Sequence, residues 1–145
     1  MSGLLSAMEV SASALTAQRR RLELLVTNLA NSETTRTPEG GPYQRKDVVF
    51  APKSVEPFWK VLAEAESQTL EGVEVKEVVT DDRPPVMVYA PGHPDANEKG
   101  YVAYPNVNPL EEMAHFMAAK RSYEANVKAF EAIKELVRRS LEMGR

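Results

Sequence analysis

Apolar side chains return every seven residues near the start of this chain, at Met8, Leu15, Leu22 and Leu29. Leu4, Leu5, Ala12, Leu25 and Val26 fall three or four positions away on the same stripe. That spacing predicts an amphipathic helix with a coiled-coil seam. Ser6 followed by Glu9 resembles a capping box, Ser2 is an alternative start, and Asn31 marks the end. At its regular rise such a helix is a rod on the order of 40 Å long.

A second stripe runs through Met113, Phe116, Tyr123, Val127, Phe130, Ile133, Val137 and Leu141, at spacings of three, four or seven. Its start is punctuated. Asn108 suits the N-cap, Pro109 the first helical position, and Glu111 can reach back to the N–H of the cap. This helix is on the order of 50 Å long. Between the two, residues 48–50, 73–79, 86–89 and 101–104 are short β-branched or aromatic runs parted by Gly, Pro, Asp and Asn, which predicts short strands. Residues 58–65 read as a short helix.

All ten prolines lie from Pro38 to Pro109, so both ends are free to be long helices. The expected fold is mainly α with a small β-rich insertion. Residues 1–37 and 108–145 form a discontinuous helical domain, an antiparallel coiled-coil pair, and residues 38–107 form a proline-rich, β-rich segment inserted at one end of it. Each helical stripe is wider than one partner can hide, which implies further subunits.

The length of 145 residues allows one domain. A net charge of -3 lacks the basic excess that drives phosphate-backbone binding, so nucleic acid is not expected as a partner. Charge is uneven: residues 1–37 and 110–145 each sum to +1, and the middle sums to -5. The absence of cysteine excludes disulfides, thiolate nucleophiles and Cys-ligated zinc. No apolar run approaches the roughly 18 residues that span a bilayer. The first basic residue, Arg19, follows the apolar stretch, so the start does not read as a cleaved signal peptide.

Candidate chemistry is sparse. His93, Pro94 and Asp95 spell the tripeptide of J-domain cochaperones, but they follow VMVYAPG, which is strand and turn, and a structural turn is expected. Asp95, Asn97 and Gly100 match part of an EF-hand loop, yet Lys99 and Asn106 stand at ligand positions. His115 with Glu111 and Glu112 reads as a charged helix face rather than a metal site. The pairs Asp81/Asp82 and Glu111/Glu112 are adjacent, so each diverges and does not present an acid opposite a base. No phosphate loop, nucleophile elbow or metalloprotease helix is present. No catalytic residue, metal or cofactor is expected. Arg19, Arg20 and Arg21 cover nearly a helical turn. They are either solvated, with the stem of the third packed, or an intersubunit charge contact to the acidic middle of a neighbour.

The segment SALTAQRRRLELLVTNLANSETT resembles the N-terminal motif of bacterial flagellar rod and hook axial proteins, carried by Leu22, Asn28, Leu29, Ala30, Asn31 and Thr34. EEMAHFMAAKRSYEANVKAFEAIKEL resembles their C-terminal motif, through Glu112, Met113, Arg121, Ser122, Tyr123, Asn126 and Val127. GGPYQRK at 40–46 and YAPGHPDANEKGYVAYPNVN at 89–108, with Gly92 in its turn, look like the proximal-rod members. Ala90 departs from the Asp usual in the family.

The resemblance implies a non-catalytic building block of the drive shaft that crosses the periplasm, exported through the flagellar type III apparatus without signal cleavage. It implies terminal helices around the export channel and a β-rich segment outward. The implied partners are further copies and the rod proteins FlgB, FlgF, FlgG and FliE, without membrane insertion. A distal rod or hook-junction subunit is the nearest rival, and a soluble coiled-coil adaptor or export chaperone is the rival from another class. Within this frame Asn28 to Asn31 end the first helix, Gly40, Gly41 and Pro42 permit a tight bend, and Tyr43 anchors it. Tyr123 and Asn126 are expected on the polar side of the same joint.

Overall fold

The computed structural model describes residues 2–55 and 70–143. Helix α1 spans Ser2–Ala30, strands β1 and β2 span Lys46–Val55 and Leu70–Thr80, β3 and β4 span Val86–Tyr89 and Tyr101–Tyr104, and helix α2 spans Pro109–Met143. Among the described residues the chain is mainly helical, with antiparallel strands between α1 and α2. The predicted short helix at residues 58–65 lies outside the described residues. Of the two candidate starts for α1 the structure uses Ser2, and Ser6 is a buried residue inside the helix.

At the start of α2 the cap forms as the sequence suggests, with the N–H of Leu110 donating to Asn108 Oδ1 at 3.1 Å. The least exposed side of α2 follows Glu112, Phe116, Ala119, Tyr123, Asn126, Phe130, Ile133 and Val137, alternating steps of four and three. Met113 and Leu141, expected on this stripe, are instead 51% and 56% exposed, Met113 beside Leu110 and Met117.

Helix α1 packs on α2 and also on β1 and β2. Two neighbours cover a wider arc than one seam. Met8, Leu15, Leu22 and Leu29 are accordingly half-buried, and Ser6, Ser11, Ala17, Leu24, Leu25 and Asn28 lie deepest.

The four strands form two separate two-stranded antiparallel sheets, β1 with β2 and β3 with β4. A bulge at Val49/Phe50 leaves Lys76 of β2 without an opposite residue. The β1–β2 ribbon runs back along α1 rather than sitting at one end of the helix pair. Lys46 is bonded to Asn28 in the last turn of α1, and the N–H of Val73 donates to Ser13 Oγ at 3.1 Å, about 22 Å back along the helix axis. Serine hydroxyls on a helix can accept from a passing strand, which sequence periodicity does not register.

Candidate functional site

Polar groups from both ends of the chain meet where α1 stops. Asn28 is fully buried, and its amide makes all four bonds it can make. Its Oδ1 accepts from the N–H of Lys46 and the hydroxyl of Tyr43, both at 2.9 Å. Its Nδ2 donates to the carbonyl of Lys46 at 2.8 Å and to Glu112 Oε2 at 3.0 Å. Glu112 is only 2% exposed. Its other oxygen accepts from Arg45 Nε at 2.6 Å, and Arg45 Nη1 reaches Asp47 Oδ2 at 3.1 Å. The cluster therefore ties the last turn of α1, the first turn of α2 and the start of β1 into one network.

Charge and burial act against each other here. Burial disfavours the charge of Arg45, but the hydrogen bond and charge of Glu112, joined by Asp47, outweigh it and raise the guanidinium pKa. Burial pushes the Tyr43 hydroxyl up, Glu112 adds to that, and Arg45 opposes it. Tyr43 stays a donor to Asn28 well past neutral pH.

The chain reaches this joint through a bend built on two glycines. Gly40 and Gly41 have φ of 91° and 75°, in the left-handed region. The N–H of Tyr43 donates to the carbonyl of Thr34, and Thr37 closes the turn with Gly40 and Gly41. Asn31 ends α1 as expected: its Nδ2 and its own N–H both donate to the carbonyl of Thr27, and its Oδ1 accepts from Thr34.

Two residues assigned to the joint from sequence stand elsewhere. Asn126 donates to the carbonyl of Ser122 on its own helix, and Tyr123 and Asn126 lie about 16 to 21 Å along α2 from Glu112. The polar side of the joint is supplied by Glu112 and Arg45 instead. From sequence Glu112 reads, with Glu111 and His115, as part of a charged helix face, yet a helix turns adjacent positions to different sides, and Glu112 is buried where Glu111 is exposed. Arg45 carried no signal beyond its place in the GGPYQRK motif.

The loop from Pro91 to Gly100 is a folded turn. The N–H of Asp95 donates to His93 Nδ1, and the N–H groups of Lys99 and Tyr101 donate to Asn97 Oδ1. Pro94 and Gly92 are exposed, and Gly100 rather than Gly92 holds the left-handed conformation, with φ of 80°. Thr35 Oγ1 donates to Asp95 Oδ2 at 2.8 Å, so this loop is tied to the segment leaving α1. Arg19 and Arg20 are exposed and both bond Glu23, whose carboxyl they hold below its usual range, Arg20 most strongly. Arg21 is half-buried. Val127, Phe130 and Val137 lie half-buried on α2.

Among the described residues no group of three His, Cys, Asp or Glu side chains could hold a metal ion, and no helix is long and apolar enough to cross a membrane. What the geometry provides is mechanical: a buried, fully bonded connection between three elements.

Comparison with known proteins agrees with a structural role. The family described as flagellar basal body rod FlgEFG protein C-terminal matches residues 98–143. The flagellar basal-body rod protein FlgC of Borreliella burgdorferi is 40% identical, with 96% of each chain covered. That of Bacillus subtilis is 44% identical, with 95% of this chain and 96% of the relative covered. That of Salmonella typhimurium is 37% identical, with 97% and 98% covered. With similarity of this order over nearly the whole of each chain, the chain belongs to the FlgC family of flagellar basal-body rod proteins, structural subunits rather than enzymes.

Proposed function

We propose that this chain is a subunit of the proximal rod, assembling with itself and with other rod proteins into the axial drive shaft that transmits torque and surrounds the export channel. The observation that carries this reading is its surface. Leu110, Met113 and Met117 on α2, and Leu5 and Val26 on α1, are apolar groups held in water until neighbours cover them.

In this reading α1 and α2 act as an antiparallel coiled-coil pair. Residues 1–37 and 108–145 make the tube-forming domain, residues 38–107 the outer segment, and the Asn28–Glu112–Arg45 joint keeps the two in fixed relation under torque. Arg19 to Arg21 supply charge toward the acidic middle of a neighbour. FlgB, FlgF, FlgG and FliE are the proposed neighbours. Delivery is through the type III export apparatus without a cleaved signal peptide, and the assembled rod crosses the periplasm.

Cryo-tomography of flagellar motors in cells lacking this gene, with a complemented control, tests the assignment. The expected result is a membrane-embedded base without rod or hook. A partial rod lacking only its outer part or the hook would move the subunit outward along the axis, and intact motors would favour a soluble coiled-coil adaptor.

A further inference from the structure

Strands β3 and β4 pack on each other and, among the described residues, on no other helix or strand. Between them they bury one side chain, Val102 on β4, and every residue of β3 is exposed. Little apolar burial therefore fastens this ribbon to the helix pair. Its base is fixed on both sides. Before β3 the N–H of Asp81 donates to the carbonyl of Arg45, and after β4 Pro105 and Val107 are buried and Asn108 caps α2. Asn106 Nδ2 donates to the carbonyl of Pro84 and ties the two stalks together.

The far end of the ribbon is held differently. Among the described residues, the hydrogen bonds and ion pairs that run from residues 84–107 to the rest of the chain all end on Asp95. Thr35 Oγ1 donates to its Oδ2 at 2.8 Å, and Arg36 Nη1 stands 3.8 Å from its Oδ1. Arg36 is largely in water, so its attraction is screened, whereas the Thr35 bond to a half-buried carboxylate is charge-assisted. Asp95 is itself set by the loop. Its N–H donates to His93 Nδ1 at 3.1 Å, and the His93 ring lies 6.3 Å from that of Tyr104 on β4. Backbone bonds from Ala90 to Gly100 and from Asn97 to Tyr101 continue the ribbon into this loop, so ribbon and loop form one body.

We infer that residues 86–104 are a latched lobe, with Asp95 as the latch and Thr35 as its catch, and that the lobe opens as one body about Pro85 and Pro105 while the helix pair stays folded. Proline has no N–H to add to a strand ladder, so pairing stops at these two positions. Opening breaks one charge-assisted bond and bares Val102, which is far less than global unfolding requires. The latch shares no residue with the Asn28–Glu112–Arg45 joint. The joint therefore stays closed while exposed β3 changes its attitude to the helices. His93 is a positioning residue, which aims the Asp95 carboxylate by fixing its backbone. The inference does not rest on the proximal-rod reading.

Native-state hydrogen exchange of the full chain, followed amide by amide by NMR, tests this. In the parent the amides of β3 and β4 are expected to exchange through one shared opening, faster than those of α1 and α2 beside the joint. Asp95→Ala should speed the β3 and β4 amides together by about tenfold or more, as loss of a hydrogen bond to a charged group allows, and leave the helix amides near Asn28 and Glu112 unchanged. Thr35→Val should do the same, and the double variant should add nothing, because both remove one bond. His93→Asn, whose side-chain oxygen can accept from the N–H two residues on, should keep the latch, whereas His93→Ala should weaken it. An equal rise across the whole chain would make Asp95 a contributor to global stability and overturn the lobe. Faster exchange confined to residues 91–100, or no change in either single variant, would overturn the latch.

Discussion

Asn28 Nδ2 donates to Glu112 Oε2 at 3.0 Å inside the protein, joining the last turn of α1 to the first turn of α2 across 84 positions of sequence. Asn28→Ala would remove this bond and the three shared with Tyr43 and Lys46, leaving a buried carboxylate and the backbone groups of Lys46 short of partners. The expected loss is about 3 kcal/mol, since each net bond contributes on the order of 1 kcal/mol. Thermal unfolding should show Tm lowered by on the order of 10 °C. A variant as stable as the parent would mean the joint does not hold the fold.

Arg45 and Glu112 should be strongly non-additive. Arg45→Met alone strands the Glu112 carboxylate in the interior and is expected to cost about 3–5 kcal/mol. Adding Glu112→Leu removes the stranded charge, so the double variant should be more stable than Arg45→Met alone. Urea titration of the four proteins measures the coupling. Additive losses would show that the two side chains act independently.

The joint should weaken in alkali through Tyr43. Its folded pKa is raised, so the native state holds the phenolic proton more tightly than the unfolded chain does. The stabilisation is therefore complete below the unfolded value of about 10 and disappears as pH rises through the higher folded value. Tyr43→Phe should be less stable than the parent near neutral pH by about 1 kcal/mol, and the gap should narrow as pH climbs past that region. Chemical denaturation at a series of alkaline pH values would reveal it, and a constant gap would contradict a proton-dependent bond at this hydroxyl.

Gly100 and Gly92 sit in one loop but should respond oppositely to a methyl group. At Gly100, with φ of 80°, an added Cβ would lie 2.9 Å from Tyr89 Cε2 and 3.1 Å from Pro91 Cβ. Gly100→Ala should disturb the Tyr89–Tyr101 ring pair and cost about 1–3 kcal/mol. Gly92 meets nothing within 4 Å. Gly92→Ala should be close to neutral. Near-ultraviolet circular dichroism of the tyrosines, with far-ultraviolet helicity as the control, separates the two. Equal effects would remove the steric argument.

Much of the fold was legible because its signals are local. The stripes from Met8 to Leu29 and from Met113 to Leu141, with Asn108 and Pro109 as punctuation, mark α1 and α2 to within a few residues, although Met113 and Leu141 themselves are exposed. The runs at 86–89 and 101–104 coincide with β3 and β4. The joint was only half legible. Asn28 and Tyr43 stand in motifs whose turn chemistry can be read directly, whereas Glu112 reads with Glu111 and His115 as a charged helix face. Tyr123 and Asn126 stand in the C-terminal motif, but three to four turns of helix carry them away from the joint.

By itself the sequence determined the elements and their ends: periodicity, proline placement and capping residues act within a few positions of one another. It also carried the class of protein, in the terminal motifs around Asn28 to Asn31 and Glu112 to Val127 that resemble the flagellar axial proteins. Only the tertiary structure decided which side chains are partners across the chain. Lys46 and Val73 lie along α1, and Glu112 turns inward to Asn28 and Arg45, because a buried amide and carboxylate must find donors and acceptors wherever packing brings them. That requirement is met in three dimensions and leaves no period in the sequence.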